Sequence, residues 1–560
     1  MNPAVFLFHF CLFGAAAAAP SNYEVVVYGG TSGGVVAAVQ VARMGRRVAL
    51  VEPGDRLGGL SAGGLGATDI GNKRAIGGMA RDFYHRLYLY YSKPEVWRFG
   101  TRDEYVSAGA GRKSWESEQA WWLFEPSAAV SVFHDMTREA DVTVFFGERL
   151  ELDQGVRKDG RWIREITMES GRVLAAKIFI DASYEGDLMA KAGVAYATGR
   201  EPNSLYGEAL NGVQPNRQHE RYYFYHQFMH PVDPYVRLGD PASGLLPTVG
   251  HGGPGKEGES DHRIQAYCYR TCLTDQPENA VPIERPGDYD PQRYELLLRY
   301  YEAGFDKIPV DPLARRGAAG LPAGVFLPNR KTDNNNIYAV SVDNTGMNYA
   351  YPDGDYAIRE RIARDHRVYQ QGLYWTLAHN PRVPEALRRE MGRWGLAKDE
   401  FTASDHWPQQ LYIREARRMI GPYVMTEHNC WGRRVAEDPV GLAAYGMDSH
   451  NVQRYVDEHG HVCNEGNVQT EGNEVLTPYP ISYRAIIPKA EQCANLLVPV
   501  CVSASHVAYG SIRMEPVFMV LGQSAAIAAV QAIEEDAAVQ DIAYRRLRSR
   551  LIAVGQVLAY

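Results

Sequence analysis

Short apolar runs near the start of the chain are separated by a stretch of small and apolar residues. The runs at 25–27 and 48–51 have the length of buried parallel strands, and residues 35–42 predict a helix that lies flat on them. Residues 142–146 and 178–180 predict two further strands of the same kind. This succession of strand, helix and strand predicts an α/β fold built on a parallel sheet.

The middle of the chain departs from this pattern, and the end returns to it. Residues 148–176 alternate apolar and polar positions between turns, which predicts a β-meander inserted in the sheet domain. Residues 200–485 are rich in Tyr, Arg, Asn and Pro and contain long loops, so we expect a separate domain there. Residues 496–500 predict a buried strand, and 516–533 predict a helix so apolar on all sides that it must be buried.

Composition and charge narrow the class of protein. The chain has 560 residues, of which 45% are hydrophobic and 22% charged, as is typical of a soluble globular enzyme. The net charge of −8 and the lack of a basic cluster argue against binding to nucleic acid. The seven cysteines are scattered, and their spacing predicts neither a metal site nor an iron–sulfur cluster.

An apolar stretch at 4–19, with a run of alanines that begins at Ala15, has the features of a secretory signal. The positively charged first region of such signals is missing, so a misassigned start codon is the alternative. We predict that residues 1–20 are a signal peptide and that the mature protein is periplasmic or secreted. No other stretch predicts a membrane span in the mature chain.

A glycine turn joins the first predicted strand to the first predicted helix. Gly29 permits the tight turn, Gly34 lets the helix pack closely on the sheet, and Glu52 ends the second strand where a carboxylate can accept both ribose hydroxyls. In the fingerprint G-x-G-x-x-G the second glycine falls at Thr31, whose hydroxyl would have to contact phosphate. The alternative is an ordinary glycine turn. The flanking strand and helix, together with Glu52, favour a dinucleotide site.

Candidate catalytic side chains lie just before the predicted C-terminal helix. His506 follows the predicted strand at 496–500, and the pKa of histidine suits a proton acceptor at neutral pH. A structural histidine bonded to the backbone is the alternative. Arg513 and Glu515 lie in one turn, where they form either a buried ion pair or a contact to substrate.

Three arginines in the middle of the chain give a different signal. Arg414, Arg417 and Arg418 have spacings of three and four, which would place them side by side on a helix. In an active site this face would suit a carboxylate substrate, with an arginine as proton donor. The alternative is a solvated helix face tied by salt bridges. His428 and His450 lie in polar loops and receive no predicted role.

Several short segments, spread over nearly the whole chain, carry a likeness to a known family. They are residues 25–31, 57–59, 76–84, 180–189, 412–421, 503–516 and 521–523. With these segments the chain resembles the FAD-dependent oxidoreductases, which are distantly similar to the flavoproteins of fumarate reductase and of heterodisulfide reductase. Similar exported proteins often carry the label "xanthan lyase", although nothing in a flavin-binding fold indicates a reaction that eliminates uronic acids.

The resemblance implies a Rossmann-like FAD-binding domain and no metal. Non-covalent binding of FAD is favoured, with covalent attachment as the open alternative. The ADP half of FAD would be held by Gly29, Gly30, Thr31, Gly34 and Glu52. Gly58 and Gly59 would approach the phosphates or the ribityl chain, and Asp181 and Ala182 would pass near the pyrophosphate. Gly522 and Gln523 would lie near the pyrimidine edge of the flavin ring. For Gly522 the alternative is a small residue required by close helix packing. A 4Fe-4S cluster, which the heterodisulfide reductase relatives hold, is not expected because the closely spaced cysteines are absent.

This interpretation divides the chain into five segments. They are the signal peptide at 1–20, the N-terminal part of the FAD-binding domain at 22–198, a large α+β substrate or cap domain at 199–485, the C-terminal part of the FAD-binding domain at 486–540, and a C-terminal helix or tail at 541–560.

We expect an exported FAD-dependent oxidoreductase that transfers a hydride between flavin N5 and a small-molecule substrate, with a sugar or sugar-derived alcohol favoured. His506, Arg513 and Arg414 are its candidate catalytic residues, and the electron acceptor is left open. One alternative is reduction of an activated double bond in a carboxylic acid, as in fumarate reductases. Another is a polysaccharide lyase or carbohydrate-binding protein on a flavoprotein scaffold.

Overall fold

The computed structural model describes residues 21–107, 118–215, 226–314, 327–470 and 477–560. The predicted signal peptide at 1–20 lies outside these ranges. The strands, in chain order, are β1 Ser21–Asn22, β2 Val25–Tyr28, β3 Val48–Glu52, β4 Thr143–Phe146, β5 Val156–Asp159, β6 Trp162–Thr167, β7 Val173–Ala175, β8 Ile178–Asp181, β9 Tyr196–Ala197, β10 Leu273–Thr274, β11 Ala280–Val281, β12 Gly395–Ala397, β13 Arg418–Met419, β14 Pro439–Ala443, β15 Asp448–Ser449, β16 Gln453–Val456, β17 Val462–Glu465, β18 Val468–Gln469, β19 Tyr479–Ser482 and β20 Leu496–Leu497.

The α-helices are numbered over the same residues. They are α1 Ser32–Arg43, α2 Gly59–Ala62, α3 Gly78–Tyr91, α4 Arg102–Ser107, α5 Pro126–Glu139, α6 Asp187–Lys191, α7 Asn203–Tyr206, α8 Glu295–Glu302, α9 Asp311–Ala314, α10 Tyr356–His379, α11 Glu385–Met391, α12 Glu427–Cys430, α13 His506–Ile512, α14 Glu515–Glu535 and α15 Tyr544–Ala553.

A five-stranded parallel sheet forms the centre of the fold. Its order is β20-β8-β2-β3-β4, and every neighbouring pair runs parallel. Val25 of β2 pairs with Val48 of β3 on one side and with Ile178 of β8 on the other. The apolar runs are therefore central strands, buried on both faces as their composition requires. The predicted α/β, Rossmann-like fold with a parallel sheet is confirmed.

The predicted β-meander is present as β5, β6 and β7, whose successive neighbours are antiparallel. The short strand β1 adds to its edge, parallel to β7. From the far end of the chain, β20 joins the central sheet beside β8. The predicted strand at 496–500 is shorter than expected, because Pro499 cannot donate a ladder hydrogen bond.

Helix α14 is the apolar helix that the sequence predicts, and it begins one residue earlier, with Pro516 in its first turn. Within the ranges that the structure describes, it alone is long and apolar enough to cross a bilayer, and nearly all of that stretch is buried inside the protein. It packs on α1 so closely that a Cβ atom on Gly522 would overlap the carbonyl oxygen of Gly33. The backbones of the two helices are thus in direct contact.

The region 199–485 contains helices α8, α10 and α11 and several short antiparallel sheets, such as β10-β12-β11 and β16-β17. Many of its buried apolar side chains, among them Tyr369 and Leu373 of α10, belong to the same continuous core as those of α1 and α14. The domain boundaries given above stay predictions.

Gly522→Ala tests the contact between α1 and α14. Alanine favours a helix interior over glycine by about 1 kcal/mol, so helix propensity alone predicts stabilisation. Because the new Cβ meets backbone that no side-chain rotation can move, we expect the free energy of unfolding to fall instead, by about 1–3 kcal/mol. Thermal unfolding measures the difference. The control is Gly287→Ala, where an added Cβ has no neighbour within 4 Å; an equal effect of both changes would contradict the expectation.

Candidate active site

The turn after β2 requires glycine at three of the predicted positions. Gly29 has a φ of +97°, which L side chains rarely adopt, and a Cβ there would lie 2.6 Å from the amide nitrogen of Ser183. A Cβ on Gly34 would overlap the carbonyl oxygen of Gly29, and one on Gly30 would lie 2.8 Å from Oε2 of Glu52. The turn, the end of β8 and the start of α1 are thus in backbone contact.

Thr31 is the N-cap of α1. Its Oγ1 accepts a hydrogen bond from the amide of Gly34 at 3.2 Å and donates one to the carbonyl oxygen of Ala182 at 2.8 Å. The single proton of this hydroxyl goes to Ala182, and the predicted bond from the hydroxyl to a phosphate stays a prediction. A phosphate at this turn would be bound by the backbone amides that begin α1, which have no partner inside the helix.

Glu52, the last residue of β3, is half-buried beside the turn. Its Oε2 accepts a hydrogen bond from the amide of Gly30 at 2.7 Å, and its Oε1 accepts one from the amide of Gly54 at 2.6 Å. Burial raises the pKa of this carboxyl to about 7, although both amide contacts oppose the shift. The ionised carboxylate keeps free lone pairs that can accept further hydrogen bonds.

A cavity of about 400 Å³ opens at the carboxyl ends of β2, β3 and β8. Its walls include Gly29 and Thr31 from the glycine turn, and residues 52–56, 183–185 and 409–411. Ligands of parallel α/β sheets bind at this edge, outside the carboxyl ends of the strands. The structure therefore brings the predicted turn, the predicted carboxylate and a cavity together.

The glycines at 58 and 59 lie beside this cavity with positive φ values of 98° and 52°. A Cβ on Gly59 would overlap the hydroxyl of Tyr184, and one on Gly58 would overlap the ring of Phe133. The hydroxyl of Tyr184 accepts a hydrogen bond from the amide of Leu60 and donates one to Glu515 Oε1, both at 2.8 Å. Gly59 lines the cavity, whereas Gly58 provides close packing behind it.

Asp181 and Ala182 hold the end of β8 against the glycine turn. The carboxylate of Asp181 accepts hydrogen bonds from the hydroxyl of Ser183 at 2.7 Å and from the amide of Met189 at 2.7 Å. Burial raises the pKa of Asp181 to about 6. The carbonyl of Ala182 accepts the proton of Thr31. The predicted pair thus fixes the end of β8 beside the cavity without lining it. Ser183, the next residue, lines the cavity.

Gly522 and Gln523 sit in the contact of α14 with its neighbours. Neither is among the residues that line the cavity. The side-chain oxygen of Gln523 accepts hydrogen bonds from the amide of Met79 and from the side chain of Gln556, and its nitrogen donates one to Gln40, each at 2.9 Å. Close helix packing, the alternative stated for Gly522, accounts for that glycine.

His506 is the first residue of α13 and is almost fully buried. Its Nδ1 lies 2.9 Å from Oε2 of Glu415, and its Nε2 lies 3.1 Å from Oγ of Ser449. Both ring nitrogens therefore have protein partners. The partners are side chains rather than the backbone groups that the structural alternative proposed.

Arg513 and Glu515 do not form the ion pair that their spacing suggested. Arg513 Nη1 donates a hydrogen bond to the hydroxyl of Tyr412 at 2.7 Å, and Nη2 donates one to the backbone oxygen of Asp448 at 3.1 Å. Glu515 points elsewhere and accepts hydrogen bonds from Tyr184 and from Ser61. Residues adjacent in one turn therefore serve different parts of the site.

The predicted arginine helix is wrong. Residues 411–417 are irregular, and Arg418 begins the strand β13. Arg417 pairs with Asp187 at 2.7 Å, and Arg418 pairs with Glu201 at 2.7 Å. All three arginines are buried, so the alternative of a solvated helix face is wrong as well.

A second group of polar side chains is buried beyond the cavity. We call it the inner polar cluster, and it consists of Arg270, Asp333, Asp343, Tyr412, Arg414, Asp448, His450 and Arg513. The Cζ atoms of Arg270, Arg414 and Arg513 lie 5.5, 4.4 and 5.7 Å from the ring centroid of Tyr412. Three cations thus surround one ring, within the range of cation–π attraction.

Each arginine of the cluster has a carboxylate partner. The pairs are Arg270 Nε with Asp333 Oδ1 at 2.6 Å, Arg414 Nη1 with Asp343 Oδ1 at 3.0 Å, and Arg513 Nη2 with Asp448 Oδ2 at 3.9 Å. A buried charge without a partner is costly, so this pairing is what makes the cluster tolerable inside the protein. The result is a polar interior with little net charge.

Several polar atoms in and around the cluster have no hydrogen-bond partner within the described ranges. They are Arg270 Nη1, Arg414 Nε, Arg513 Nε, Gln265 Nε2, Asn334 Oδ1 and Asn451 Oδ1. Buried polar atoms in proteins are nearly always bonded to protein, to ordered water or to a ligand. The cluster therefore has donors and acceptors to spare for a polar ligand or for water.

His450 is the site residue that the sequence did not reveal. It follows β15 in a polar loop, with no motif around it, and its partner Asp343 is distant in sequence. The ring Nδ1 lies 2.7 Å from Asp343 Oδ2. No spacing in the sequence joins these two residues, so the sequence does not distinguish His450 from any other histidine in a loop.

Two routes connect the cavity with the inner polar cluster. Gln409, Gln410 and Leu411 line the cavity, and the next residue, Tyr412, is the centre of the cluster. Tyr184 lines the cavity and bonds Glu515, two residues after Arg513 of the cluster. The two parts are thus neighbours in the structure, and together they make up the candidate active site.

Metal chemistry has no ligand set in the part of the chain that the structure describes. No group of three or more His, Cys, Asp or Glu side chains suited to a metal ion occurs there. The six cysteines within those ranges are all free, so no disulfide links them.

Comparison with known proteins gives the family. A family model described as FAD dependent oxidoreductase matches residues 24–551. No curated protein matches the chain. Similar solved structures include L-proline dehydrogenase from P. horikoshii, with 18% identity, 33% of this chain and 59% of that chain covered, and a TM-score of 0.23. OxyS anhydrotetracycline hydroxylase from Streptomyces rimosus has 14% identity, 33% and 36% coverage and a TM-score of 0.22.

The L-amino acid deaminase from Proteus vulgaris has 14% identity, coverage of 34% of this chain and 54% of that chain, and a TM-score of 0.23. This chain covers between 36% and 59% of the length of the three solved structures. The family model, in contrast, spans nearly the whole chain and fits the parallel sheet, the glycine turn and Glu52. The chain belongs to the FAD dependent oxidoreductase family, and its cofactor is FAD.

Proposed function

We propose that this FAD-dependent oxidoreductase oxidises a neutral polyhydroxy compound, a sugar or a sugar-derived alcohol, whose hydroxyl groups bind in the inner polar cluster. The observation that carries the proposal is the pairing of every arginine of the cluster with a carboxylate. A neutral substrate with many hydroxyl groups can use the spare donors and acceptors without adding a charge.

The same pairing argues against a carboxylic acid as substrate. A substrate carboxylate would need a cation whose charge is not already compensated, because burying an unpaired charge costs several kcal/mol. Arg414, the arginine proposed for that role, is held by Asp343. A further carboxyl beside Arg270 and Arg513 belongs to Asp69, and its pKa is raised by burial and by Asp448. Among the described residues of the cluster, no positive charge is left over for a fumarate-like acid.

The residues around the cavity fit the ADP half of FAD. The turn at Gly29 leaves no room for a side chain, the amides of α1 begin at this turn, and Glu52 presents a carboxylate. The amides would hold the pyrophosphate and Glu52 the ribose hydroxyls. Gly59 would let the chain pass close to the cofactor. No covalent attachment is needed for this arrangement.

FAD supplies the chemistry of a two-electron acceptor. The protein must then bind the substrate beside it, orient the reacting carbon and move the proton of the reacting hydroxyl. The inner polar cluster has groups for each of these tasks. Its arginines and the asparagines beside it have unpartnered atoms that can bind hydroxyls, and its histidine can take a proton. Arg513, the member of the cluster that lies just before the first turn of α14, would orient substrate.

Export is a proposal that rests on residues 4–19 alone. The free cysteines give it no independent support, since exported proteins commonly form disulfides.

Glu52→Gln tests the carboxylate in the dinucleotide site. Glutamine keeps the size, yet its amide has one oxygen and cannot accept from Gly30, Gly54 and a ribose as the carboxylate does. We expect the dissociation constant of FAD to rise about 10- to 100-fold, the effect of losing hydrogen bonds to a charged group. Titration of cofactor-free protein with FAD measures it. Asp55→Asn makes the same charge change at an exposed carboxylate of the cavity rim and should stay within about twofold.

The pH dependence of FAD binding gives a second check on Glu52. Ribose hydroxyls donate to the ionised carboxylate, so FAD binding lowers a pKa that stands at about 7 in the free protein. The affinity of the wild type for FAD should therefore decrease as the pH falls below 7. In Glu52→Gln this dependence should disappear. A variant with unchanged affinity and an unchanged pH profile would remove Glu52 from the binding site.

The proposed substrate class is tested by anaerobic bleaching of the flavin absorbance. The panel pairs each neutral compound with its acid: glucose with glucuronate, galactose with galacturonate, and glucitol with gluconate. We expect at least one neutral compound to bleach the flavin about 100-fold faster than its acid, because the acid adds a buried charge without a free cation. Faster bleaching by the acids would contradict the proposal.

The alternatives give different results in the same assay. Reduced protein that is reoxidised by fumarate, but never bleached by neutral compounds, would support the carboxylic acid alternative. Colourless protein that depolymerises a glycan would support the lyase alternative.

Export is tested by expressing the full chain in a bacterial host and sequencing the N-terminus of the mature protein. We expect it to begin near residue 21, after the alanine run, and to be found outside the cytoplasm. Cytoplasmic protein that retains residues 1–20 would contradict the prediction.

A further inference from the structure

His450 and Asp343 form a buried histidine–carboxylate dyad inside the inner polar cluster. Both side chains are at most 5% exposed, and Nδ1 of the histidine lies 2.7 Å from Oδ2 of the aspartate. A carboxylate at this distance holds the proton on Nδ1, which leaves Nε2 as the basic nitrogen. Within the described ranges, Nε2 has no hydrogen-bond partner.

The other buried histidine near the cluster differs in this respect. His506 has Glu415 at Nδ1 and Ser449 at Nε2, so both of its nitrogens are engaged. A proton acceptor needs a nitrogen that can reach the substrate. On geometry, His450 meets this requirement and His506 does not.

Polar atoms without hydrogen-bond partners lie on residues that neighbour His450 in the chain or in the cluster. Gln265 accepts a hydrogen bond from the backbone amide of His450 at 3.2 Å, and its own Nε2 has no partner within the described chain. Asn451, the next residue, has an unpartnered side-chain oxygen, and Arg414 has an unpartnered Nε. The segment around His450 therefore has donors and acceptors with unused capacity.

We propose that His450, held by Asp343, is the catalytic base that takes the proton of the reacting hydroxyl. The inference rests on the proposed function, because it assigns the proton acceptor for oxidation of an alcohol. It replaces His506 in the role that the sequence suggested. Asp343 is a positioning residue, since it acts through the histidine ring and does not touch the substrate.

The step balances without a further reactant. The O–H bond of the substrate breaks, and its proton goes to Nε2 of His450. The electron pair of that bond forms the carbon–oxygen double bond, and the hydrogen on carbon leaves with two electrons for the oxidised cofactor. His450 later returns its proton to solvent, which resets the base.

The electrostatic surroundings keep the base form available. Burial and the guanidinium of Arg414 lower the pKa of His450 to about 4, against the opposing effect of Asp343 and Asp448. Burial also lowers the pKa of the neighbouring His226, which shares Asp343, Asp448 and Arg414 as charged neighbours. The pKa of Asp343 itself would be raised by burial, but Arg414 and His450 lower it to about 2. At neutral pH the ring is neutral and the carboxylate is ionised.

His450→Gln is the main test. Glutamine keeps a polar group beside Asp343 but cannot take the proton. We expect the holoenzyme to bind FAD normally and to be bleached by dithionite, while bleaching by the fastest neutral compound of the panel slows about 10²- to 10⁴-fold. His428→Gln is the matched control, because that histidine lies on α12, where its Nε2 bonds the backbone of Gly207. Its bleaching rate should equal that of the wild type.

A second readout does not depend on turnover. A histidine whose pKa is lower in the folded than in the unfolded protein binds fewer protons when folded, so stability falls as the pH drops from about 6.5 to 4. His450→Gln should therefore show a smaller loss of thermal midpoint over this range than the wild type. His226 is present in both proteins, so the difference reports the loss of His450 together with its effect on the pKa of Asp343.

The outcomes separate the two proposals. Wild-type bleaching rates in His450→Gln would overturn the assignment of the base and leave the proposed substrate class intact. If no neutral compound bleaches the wild type, the proposed function fails and the assignment fails with it. If His450→Gln does not bind FAD, Asp343→Asn provides the test: it keeps the histidine but not its orientation. Its bleaching should then be slower than that of the wild type, and unchanged bleaching would overturn the proposal. In a separate test, free imidazole added to His450→Gly should restore part of the bleaching rate.

Discussion

The crossing of α1 and α14 at Gly33 and Gly522 is the contact on which the rest of the site depends. The backbones of the two helices are in direct contact, so neither helix can shift without breaking that contact. Helix α1 begins at the glycine turn, so the crossing sets where its amides point in the cavity. Helix α14 begins at Glu515, so the same crossing sets the position of Arg513 just before it. One contact between residues far apart in sequence therefore aligns the cofactor cavity with the inner polar cluster.

Pairing of buried charges is the second constraint. The desolvation free energy of an isolated charge at these depths would exceed the free energy of unfolding of a typical protein. Each of these arginines is therefore held by a carboxylate from another part of the chain. These pairs stabilise the protein little beyond offsetting their own desolvation. Under the proposed function their effect would be on specificity, because a site with balanced charges and unpartnered hydrogen-bonding atoms suits a substrate that is polar but uncharged.

The sequence predicts the elements whose structure depends on only a few neighbouring residues. The strands at 25–27 and 48–51, the glycine turn, the end of β3 at Glu52 and the buried helix α14 follow from apolar periodicity and backbone geometry over few residues. The arginines at 414–418 could not be placed, because the same spacing suits a helix face or an irregular segment, and the choice was made by distant partners such as Asp187 and Glu201. His450 was invisible for the same reason, since nothing near it in sequence marks Asp343 as its partner.

Asp343 has two partners, and this couples the charge of the site to its base. One oxygen neutralises Arg414, and the other holds the Nδ1 proton of His450. Without the aspartate, the arginine would become a free cation that attracts acids, and the histidine would lose both its orientation and the ion that offsets the repulsion by Arg414. In the proposed function, a preference for neutral substrates and the proton acceptor would thus both depend on the same carboxylate.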